Sequence, residues 1–316
     1  CMNLQEELSA AFLVHGEVIA DCGEDNYTMG SGSDSFYYIG AFDGCGGLGA
    51  QQYEKLRQHT GAWAASRLAA LTTDQFVQSG RLQFQETDGA ALQQLLFQKL
   101  QAAKAACTEA GGIQIGGSLR KSFPTTVSIV AMQPLAQHAL QCEFLWAGDS
   151  RGYILDQQGL SQLTRDDLDA DVDAFENLQQ DARLVNLANA DRAFTVHCRQ
   201  LTVQQPALIL TATDGGFAYF KTPMEFEYVL LETLHQAHSP QDWEQRLDTI
   251  LKSQAGDDYT LLIAGFGFRS FQQMQQHFDN RLAALKKRYI FPSVDAAPDV
   301  LQALWLHYKK SYYRWD

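Results

Sequence analysis

The stretch Phe36-Tyr-Tyr-Ile-Gly-Ala-Phe-Asp43-Gly44-Cys45-Gly46-Gly47 decides how this chain is read. An apolar, aromatic-rich run reads as a buried β-strand. It stops at one carboxylate, followed at once by a cluster of glycines. Glycine lets the backbone turn and approach a ligand closely. An acid at the tip of a strand, with nothing bulky behind it, is well placed to hold a cation. The same letters also describe any strand that ends in a tight turn. Recurrence separates the two readings. Ala207-Leu-Ile-Leu-Thr-Ala-Thr-Asp214-Gly215-Gly216 is again an apolar strand ending in Asp-Gly. Glu24-Asp25 precedes the first strand, and Asp257-Asp258 stands just before the apolar run Tyr259 to Gly265. Carboxylates gathered at several strand ends repel one another unless a multivalent cation lies between them.

Bulk properties narrow the function classes. A chain of 316 residues accommodates one large domain or two. The net charge of −13 argues against a nucleic-acid partner, because phosphate backbones are met by basic surfaces. The six cysteines (Cys1, Cys22, Cys45, Cys107, Cys142, Cys198) form no C-x-x-C pair, so neither a zinc site nor a disulfide framework is indicated. Free thiols in a reducing compartment are expected. No basic-then-apolar leader and no run of about 18 apolar residues occurs, so a cytoplasmic protein without a membrane partner is expected.

In order, Ser9 to Ile19 reads as a strand or two, then a turn at Glu24-Asp25-Asn26, then the strand Phe36 to Phe42. Gly49 to Leu71 shows apolar residues at helical spacing (Leu56, Trp63, Leu68, Leu71), and Ala90 to Ala110 is a second helix. Gly111 to Ser122 reads as a glycine-rich loop. Thr125 to Met132 and Leu140 to Ala147 are strands with Pro134 between them. Gly152 to Leu155 and Leu160 to Leu163 form a hairpin about Gln157-Gln158-Gly159. Arg165 to Arg192, rich in Asp, Asn, Gln and Ala, is read as a surface excursion with helical tendency that could cover a site. Phe194 to Leu201 and Ala207 to Thr213 return to strand. Pro223 to His238 and Pro240 to Ser253 are helices opened by proline, and Tyr259 to Gly267 is a last strand. Arg269 to Tyr289 and Asp299 to Tyr313 are two further helices. Strands and helices in this order suggest antiparallel sheets with helices on the outer faces, an α+β arrangement. A division into a domain over 1–268 and a helical extension over 269–316, packed on or next to it, is expected.

Taken together, Glu24-Asp25, Phe42-Asp43-Gly44-x-Gly46-Gly47, Thr125-Thr126, Gly148-Asp149-Ser150-Arg151, Leu163-Thr164-x-Asp166, Thr213-Asp214-Gly215 and Asp257-Asp258-x-Thr260 resemble the motif series of the metal-dependent (PPM-type, type 2C) serine/threonine protein phosphatases, in particular bacterial ones. They stand in the family's order from about residue 9 to 266. The resemblance implies a four-layer α-β-β-α sandwich with the site in a cleft at one edge of two antiparallel sheets. It implies two Mg²⁺ or Mn²⁺ ions, a metal-bridging water that attacks phosphorus directly, and a phosphorylated protein as substrate. By the resemblance, Asp43 bridges both metals and, with Asp214, is central to catalysis. Gly44 lends its carbonyl, Asp214 and Asp257 ligate one metal, and Glu24 and Asp25 act through metal-bound waters. Asp149 matches a position that some members use for a third, weaker metal. Oxygen ligands suit these hard cations.

This chain departs from the family's pattern in four places. Ala20 stands where the family often has a phosphate-gripping arginine. Cys45 stands where histidine or methionine is usual. Phe123-Pro124 replaces a small Gly-Ser or Gly-Thr pair, and Asp258 replaces an asparagine while keeping an oxygen ligand. The first two motivate an alternative, a catalytically weak or inactive phosphatase-fold protein that binds a phosphoprotein or regulatory partner. A phosphohydrolase for small esters is a third reading. Cysteine-phosphatase chemistry needs an arginine six positions after the cysteine; position 51 is Gln51, so Cys45 is expected to be a turn residue. Arg151 is expected to pair with a buried acid rather than grip phosphate. The aromatic tail, Trp305 to Trp315, is expected to pack on the body.

Overall fold

A computed structural model describes residues 4–33, 35–107, 121–169, 172–178 and 182–314. Among these residues ten strands form two five-stranded antiparallel sheets. They are β1 (Leu8–Gly16), β2 (Asn26–Ser33), β3 (Phe36–Phe42), β4 (Val127–Leu135), β5 (Ala139–Ala147), β6 (Arg151–Asp156), β7 (Gly159–Gln162), β8 (His197–Gln204), β9 (Ala207–Ala212) and β10 (Tyr259–Phe266). One sheet runs β1-β10-β9-β6-β7 and the other β2-β3-β4-β5-β8. The long helices are α1 (Gly61–Gln78), α2 (Asp88–Cys107), α3 (Pro223–Gln236), α4 (Pro240–Gln254), α5 (Phe271–Leu285) and α6 (Pro298–Tyr312).

Three apolar clusters define the layers. Ile39, Ala41, Val130, Phe144, Ile154, Ile209, Leu262 and Ala264 meet between the sheets. Tyr38, Phe42, Ile129 and Leu145 point the other way, against Ala65, Ala69 and Phe76 of α1 and Leu92, Leu96 and Leu100 of α2. Tyr153, Leu208, Leu210 and Ile263 face α3 to α6. A strand buried on both faces is apolar at every position, and this is why β3, β9 and β10 read as unbroken apolar runs. The result is the α-β-β-α sandwich expected from the motifs, with helices on both outer faces.

Several local expectations need correction. The helix read over 49–71 starts at Gly61 and runs to Gln78. Its start is set by Thr60, whose hydroxyl accepts the Trp63 N–H. Its buried face is built from alanines (Ala62, Ala65, Ala69, Ala70), which allow close approach to the sheet, whereas Leu71 is 59% exposed. The turn expected at Glu24-Asp25-Asn26 gives way at Asn26 to a strand absent from the sequence reading, β2, a polar edge strand that among the described residues pairs only with β3. Pro134 lies inside β4, not between strands. β3 pairs with β4 only up to Met132, so the missing N–H of Pro134 leaves no neighbour unsatisfied on that side. Among the described residues the 165–192 excursion carries a single helical turn, Ala174–Asn177. The chain also stays helical through Phe291-Pro292: α5 continues into a π-helical turn, Lys286–Ile290, and then a short helix, Phe291–Ser293. The loop expected over 111–122 lies largely outside the described residues. Of the described helices, none is long and apolar enough to cross a membrane.

Candidate active site

The backbone of Asp43 is fixed on both sides. Its N–H donates to the Thr126 hydroxyl at 3.0 Å. Its carbonyl accepts the Thr126 N–H at 2.8 Å and the Thr125 hydroxyl at 2.9 Å. The start of β4 thus takes up the main-chain groups of Asp43 and leaves its carboxylate as the polar group on offer. A methyl group on Gly44 would come within 2.7 Å of the carbonyl oxygens of Glu24 and Ala62, and one on Gly46 within 1.8 Å of Glu24 Oε2. These two glycines let the loop close over Glu24.

Glu24 and Asp25 are braced by the elements around them. The Glu24 carboxylate accepts from the Thr60 hydroxyl at the head of α1, and its carbonyl accepts from Ser66 Oγ at 2.5 Å. Asp25 is buried, and its Oδ2 accepts the hydroxyls of Thr213 (2.7 Å) and Thr260 (2.8 Å). One oxygen thereby ties the end of β9 to the start of β10. Asp258 accepts the N–H groups of Val18 (2.8 Å) and Glu24 (2.7 Å), one on each oxygen. It staples the loop before β2. Its neighbour Asp257 accepts the Asp258 N–H at 2.8 Å. Asp214 opens a tight turn, Asp214–Gly216, whose carbonyl caps Phe217 and Ala218.

Asp149 follows Gly148, whose φ of +104° only glycine adopts without strain. The Gly148 N–H donates to Asp167 Oδ2 at 3.0 Å. Oδ1 of Asp149 is buried and, among the described residues, has no hydrogen-bond partner. Arg151, two residues on, is engaged elsewhere: it forms a two-pronged pair with Asp166 and stacks on the Phe217 ring at 4.2 Å. The expectation that it pairs with a buried acid holds.

These carboxylates act on one another. Burial, then the charges of Asp214, Asp25, Asp149 and Asp257, raises the Asp43 pKa well above the usual range. Burial and Asp214 push Asp149 up to about 8, and burial and Asp257 push Asp214 up to about 6. Burial also raises Asp25, Glu24 and Asp257. Among the described residues, however, no three Asp, Glu, His or Cys side chains stand close enough to enclose an ion on their own.

No protein-family model matches the chain, and no curated protein matches its sequence. Solved structures do match. The serine/threonine phosphatase Stp1 from Staphylococcus aureus superposes with a TM-score of 0.61 at 15% identity, over 85% of this chain and 98% of that one. The Mycobacterium tuberculosis serine/threonine phosphatase PstP/Ppp superposes with a TM-score of 0.53 at 17% identity, over 83% and 100%. The catalytic domain of PstP in complex with two manganese ions gives a TM-score of 0.53 at 15% identity, again over 83% and 100%. The chain has the fold of the bacterial PPM-type serine/threonine phosphatases.

On this PPM fold, the donor set suits hard divalent ions. It is all oxygen, it carries strong mutual repulsion, and it includes one buried carboxylate oxygen, on Asp149, that no group among the described residues satisfies. Mg²⁺ and Mn²⁺ keep several of their waters, so an open arrangement of carboxylates serves them better than a tight cage. The fold gathers Glu24, Asp25, Asp43, Asp149, Asp214 and Asp257 at one set of strand ends. Sequence reasoning missed Asp167, which binds Gly148 and also accepts from Asn186 and meets His197 Nε2 at 2.9 Å. The doublet Asp166-Asp167, at the end of the Leu163-Thr164-x-Asp166 motif, was the available signal. Thr60 was also missed, and its place as a helix cap gave no hint of Glu24.

Proposed function

We propose that this chain is a phosphatase that removes phosphate from phosphoserine and phosphothreonine in proteins, using two Mg²⁺ or Mn²⁺ ions. The observation that carries the reading is the unpartnered, buried Asp149 Oδ1 within a group of mutually repelling carboxylates that includes Asp43 and Asp214. Such a group needs protons or cations to persist. Asp43 and the Gly44 carbonyl would hold both ions, Asp214 and Asp257 one of them, and Glu24 and Asp25 would act through interposed water. Asp149 would take a third ion. When bound, the ions supply charge neutralisation for the phosphoryl oxygens and acidify the water that attacks phosphorus.

The chain's own residues supply rigidity and selectivity. With its main chain locked by Thr125 and Thr126, Asp43 keeps its carboxylate in one position. Burial and the nearby acids push the Cys45 thiol up, away from the reactive thiolate form. The test is hydrolysis of a phosphothreonine peptide after chelation and after Mn²⁺ is restored. Asp43→Ala is expected to lose more than ~100-fold, because even groups outside the ligand shell cost 10–100-fold. Wild-type rates from Asp43→Ala, or turnover that survives chelation, would overturn the reading.

A further inference from the structure

Position 20 is alanine, Arg151 is bound to Asp166, and the chain carries a net charge of −13. An anionic substrate therefore needs a local positive surface from another source. Arg67 does not supply it: the guanidinium stacks on Trp63 at 4.1 Å, donates to the Trp63 carbonyl and is surrounded by Glu17, Asp258, Asp25 and Glu24.

Three other basic residues converge beside the loop that leaves Asp43. The Lys121 N–H donates to the Leu48 carbonyl at 3.1 Å, and the Cys45 N–H to the Pro124 carbonyl at 3.3 Å. Segment 121–124 therefore runs alongside residues 45–48. On its other side the Ala190 N–H donates to Ser122 and the Thr125 N–H to Ala188, both at 2.9 Å. The excursion that carries Arg183 and Arg192 is thus stitched to the same segment. Lys121 is half-buried, while Arg183 and Arg192 are exposed. Burial, then Arg192, brings the Lys121 ammonium down to about 8, with Arg183 adding to the effect. Among the described residues two carboxylates lie beside them: Asp191 is engaged by Lys104 at 2.6 Å and by the Ser122 N–H, and Asp169 accepts the Arg183 N–H at 3.1 Å. None of the three cationic side chains has a hydrogen bond or ion pair among the described residues. Unpaired like charges held together repel, and an anion relieves them.

We propose that Lys121, Arg183 and Arg192 form an anion subsite at the rim of the carboxylate cluster, which reads acidic residues flanking the phosphorylated residue of a peptide substrate. This rests on the phosphatase reading above. Flanking residues fit better than the phosphate itself. Lys121 is tied to Leu48, five residues beyond Asp43, whereas Arg151, two residues from Asp149, is taken up by Asp166. The cluster therefore lies one step outward from the carboxylates.

The experiment compares two phosphothreonine peptides, one flanked by glutamates and one by alanines, on the Mn²⁺-loaded protein. The glutamate peptide is expected to have kcat/KM about five- to tenfold higher, mainly through KM, with the preference shrinking in high salt. Arg183→Gln with Arg192→Gln, both exposed and so compatible with folding, is expected to lose most of that ratio, and adding Lys121→Met the remainder. A ratio that survives all three substitutions overturns the subsite. Binding of the fluorescein-labelled glutamate peptide, followed by anisotropy at low and high salt, decides the same question without turnover. If the wild type hydrolyses neither peptide, the phosphatase reading fails, while the anisotropy difference between wild type and variant still supports or overturns the subsite.

Discussion

Arg151 and Asp166 form a buried, two-pronged ion pair, Nη2 to Oδ2 at 2.6 Å and Nε to Oδ1 at 3.0 Å, with side-chain exposures of 2% and 10%. The pair holds β6 to the segment after β7, and Gln162 donates a further hydrogen bond to Asp166 at 2.9 Å. Removing one partner of such a pair leaves a buried charge without compensation. Asp166→Asn is expected to cost about 3–5 kcal/mol in urea denaturation. An apolar double variant, Arg151→Met with Asp166→Leu, is expected to recover at least half of that loss, because both desolvated charges leave together. A double variant less stable than Asp166→Asn would show that the pair is worth more than its desolvation costs.

The carboxylate cluster sets the pH response of the metal-free protein. Asp214 is raised to about 6 and Asp149 to about 8, each mainly by burial, and Asp43 and Asp25 rise as well. In the unfolded chain these groups titrate near 3.8. Between those limits the folded state holds protons that the unfolded state has released. Stability is therefore fullest below about pH 4 for these groups and declines as pH rises toward 8, by about 1.4 kcal/mol per pH unit per proton held. Mn²⁺ replaces the protons, so its stabilising effect should grow with pH. Melting temperatures at pH 5 and pH 8, with chelator and with Mn²⁺, check this. A chelated protein as stable at pH 8 as at pH 5 would contradict it.

The division between what the sequence reveals and what it hides follows from physics. β3, β9 and β10 were legible because burial on both faces demands apolar residues throughout. Helices α3 and α4 were legible because Pro223 and Pro240 sit in their first turns, after the capping hydroxyls of Thr222 and Ser239. β2 was not, because an edge strand with polar residues lacks the apolar pattern. α1 was misplaced because its packing face is largely alanine and Leu71 lies off that face. All the candidate carboxylates were legible as a set. Their individual tasks were not: Asp25 and Asp258 spend oxygens on hydroxyls and N–H groups supplied by distant segments, and only tertiary structure reveals those partners.

Two glycines in the site separate folding from function. At Gly46 a methyl group would meet Glu24 Oε2, the far end of a flexible side chain. Gly46→Ala is therefore expected to change stability by less than about 1 kcal/mol while displacing Glu24 and weakening Mn²⁺ binding by roughly 10-fold or more. At Gly215 a methyl group would lie 1.9 Å from the carbonyl oxygen of Asp258, which is backbone. Gly215→Ala is expected to lose at least about 1–3 kcal/mol of stability. Calorimetric Mn²⁺ titration beside urea denaturation tells the two apart, and equal behaviour of the two variants would refute the distinction.

The C-terminal helix α6 carries a cluster of buried aromatics. Trp305, Tyr308 and Tyr312 are each buried to 1% exposure or less, against the helix layer over β6 and β7. The Trp305 indole N–H donates to Asp173 Oδ2 at 2.9 Å, and Lys309 reaches the same oxygen at 2.7 Å. Asp173 in turn caps the helical turn Ala174–Asn177 within the excursion. The helix thus anchors one end of the segment whose other end, at Ala188 and Ala190, is hydrogen-bonded to 122–125 beside Asp43. Trp305→Ala is expected to cost about 3–5 kcal/mol. Trp305→Phe keeps most of the buried ring but removes the indole hydrogen bond, at a cost of about 1.5–3 kcal/mol, because Asp173 is charged. Hydrogen exchange in Trp305→Phe should then quicken across 173–178 with little change in α1. Unchanged exchange at 173–178 would mean that Lys309, with the Tyr313 hydroxyl that accepts the Ala174 N–H at 2.7 Å, holds the anchor without Trp305.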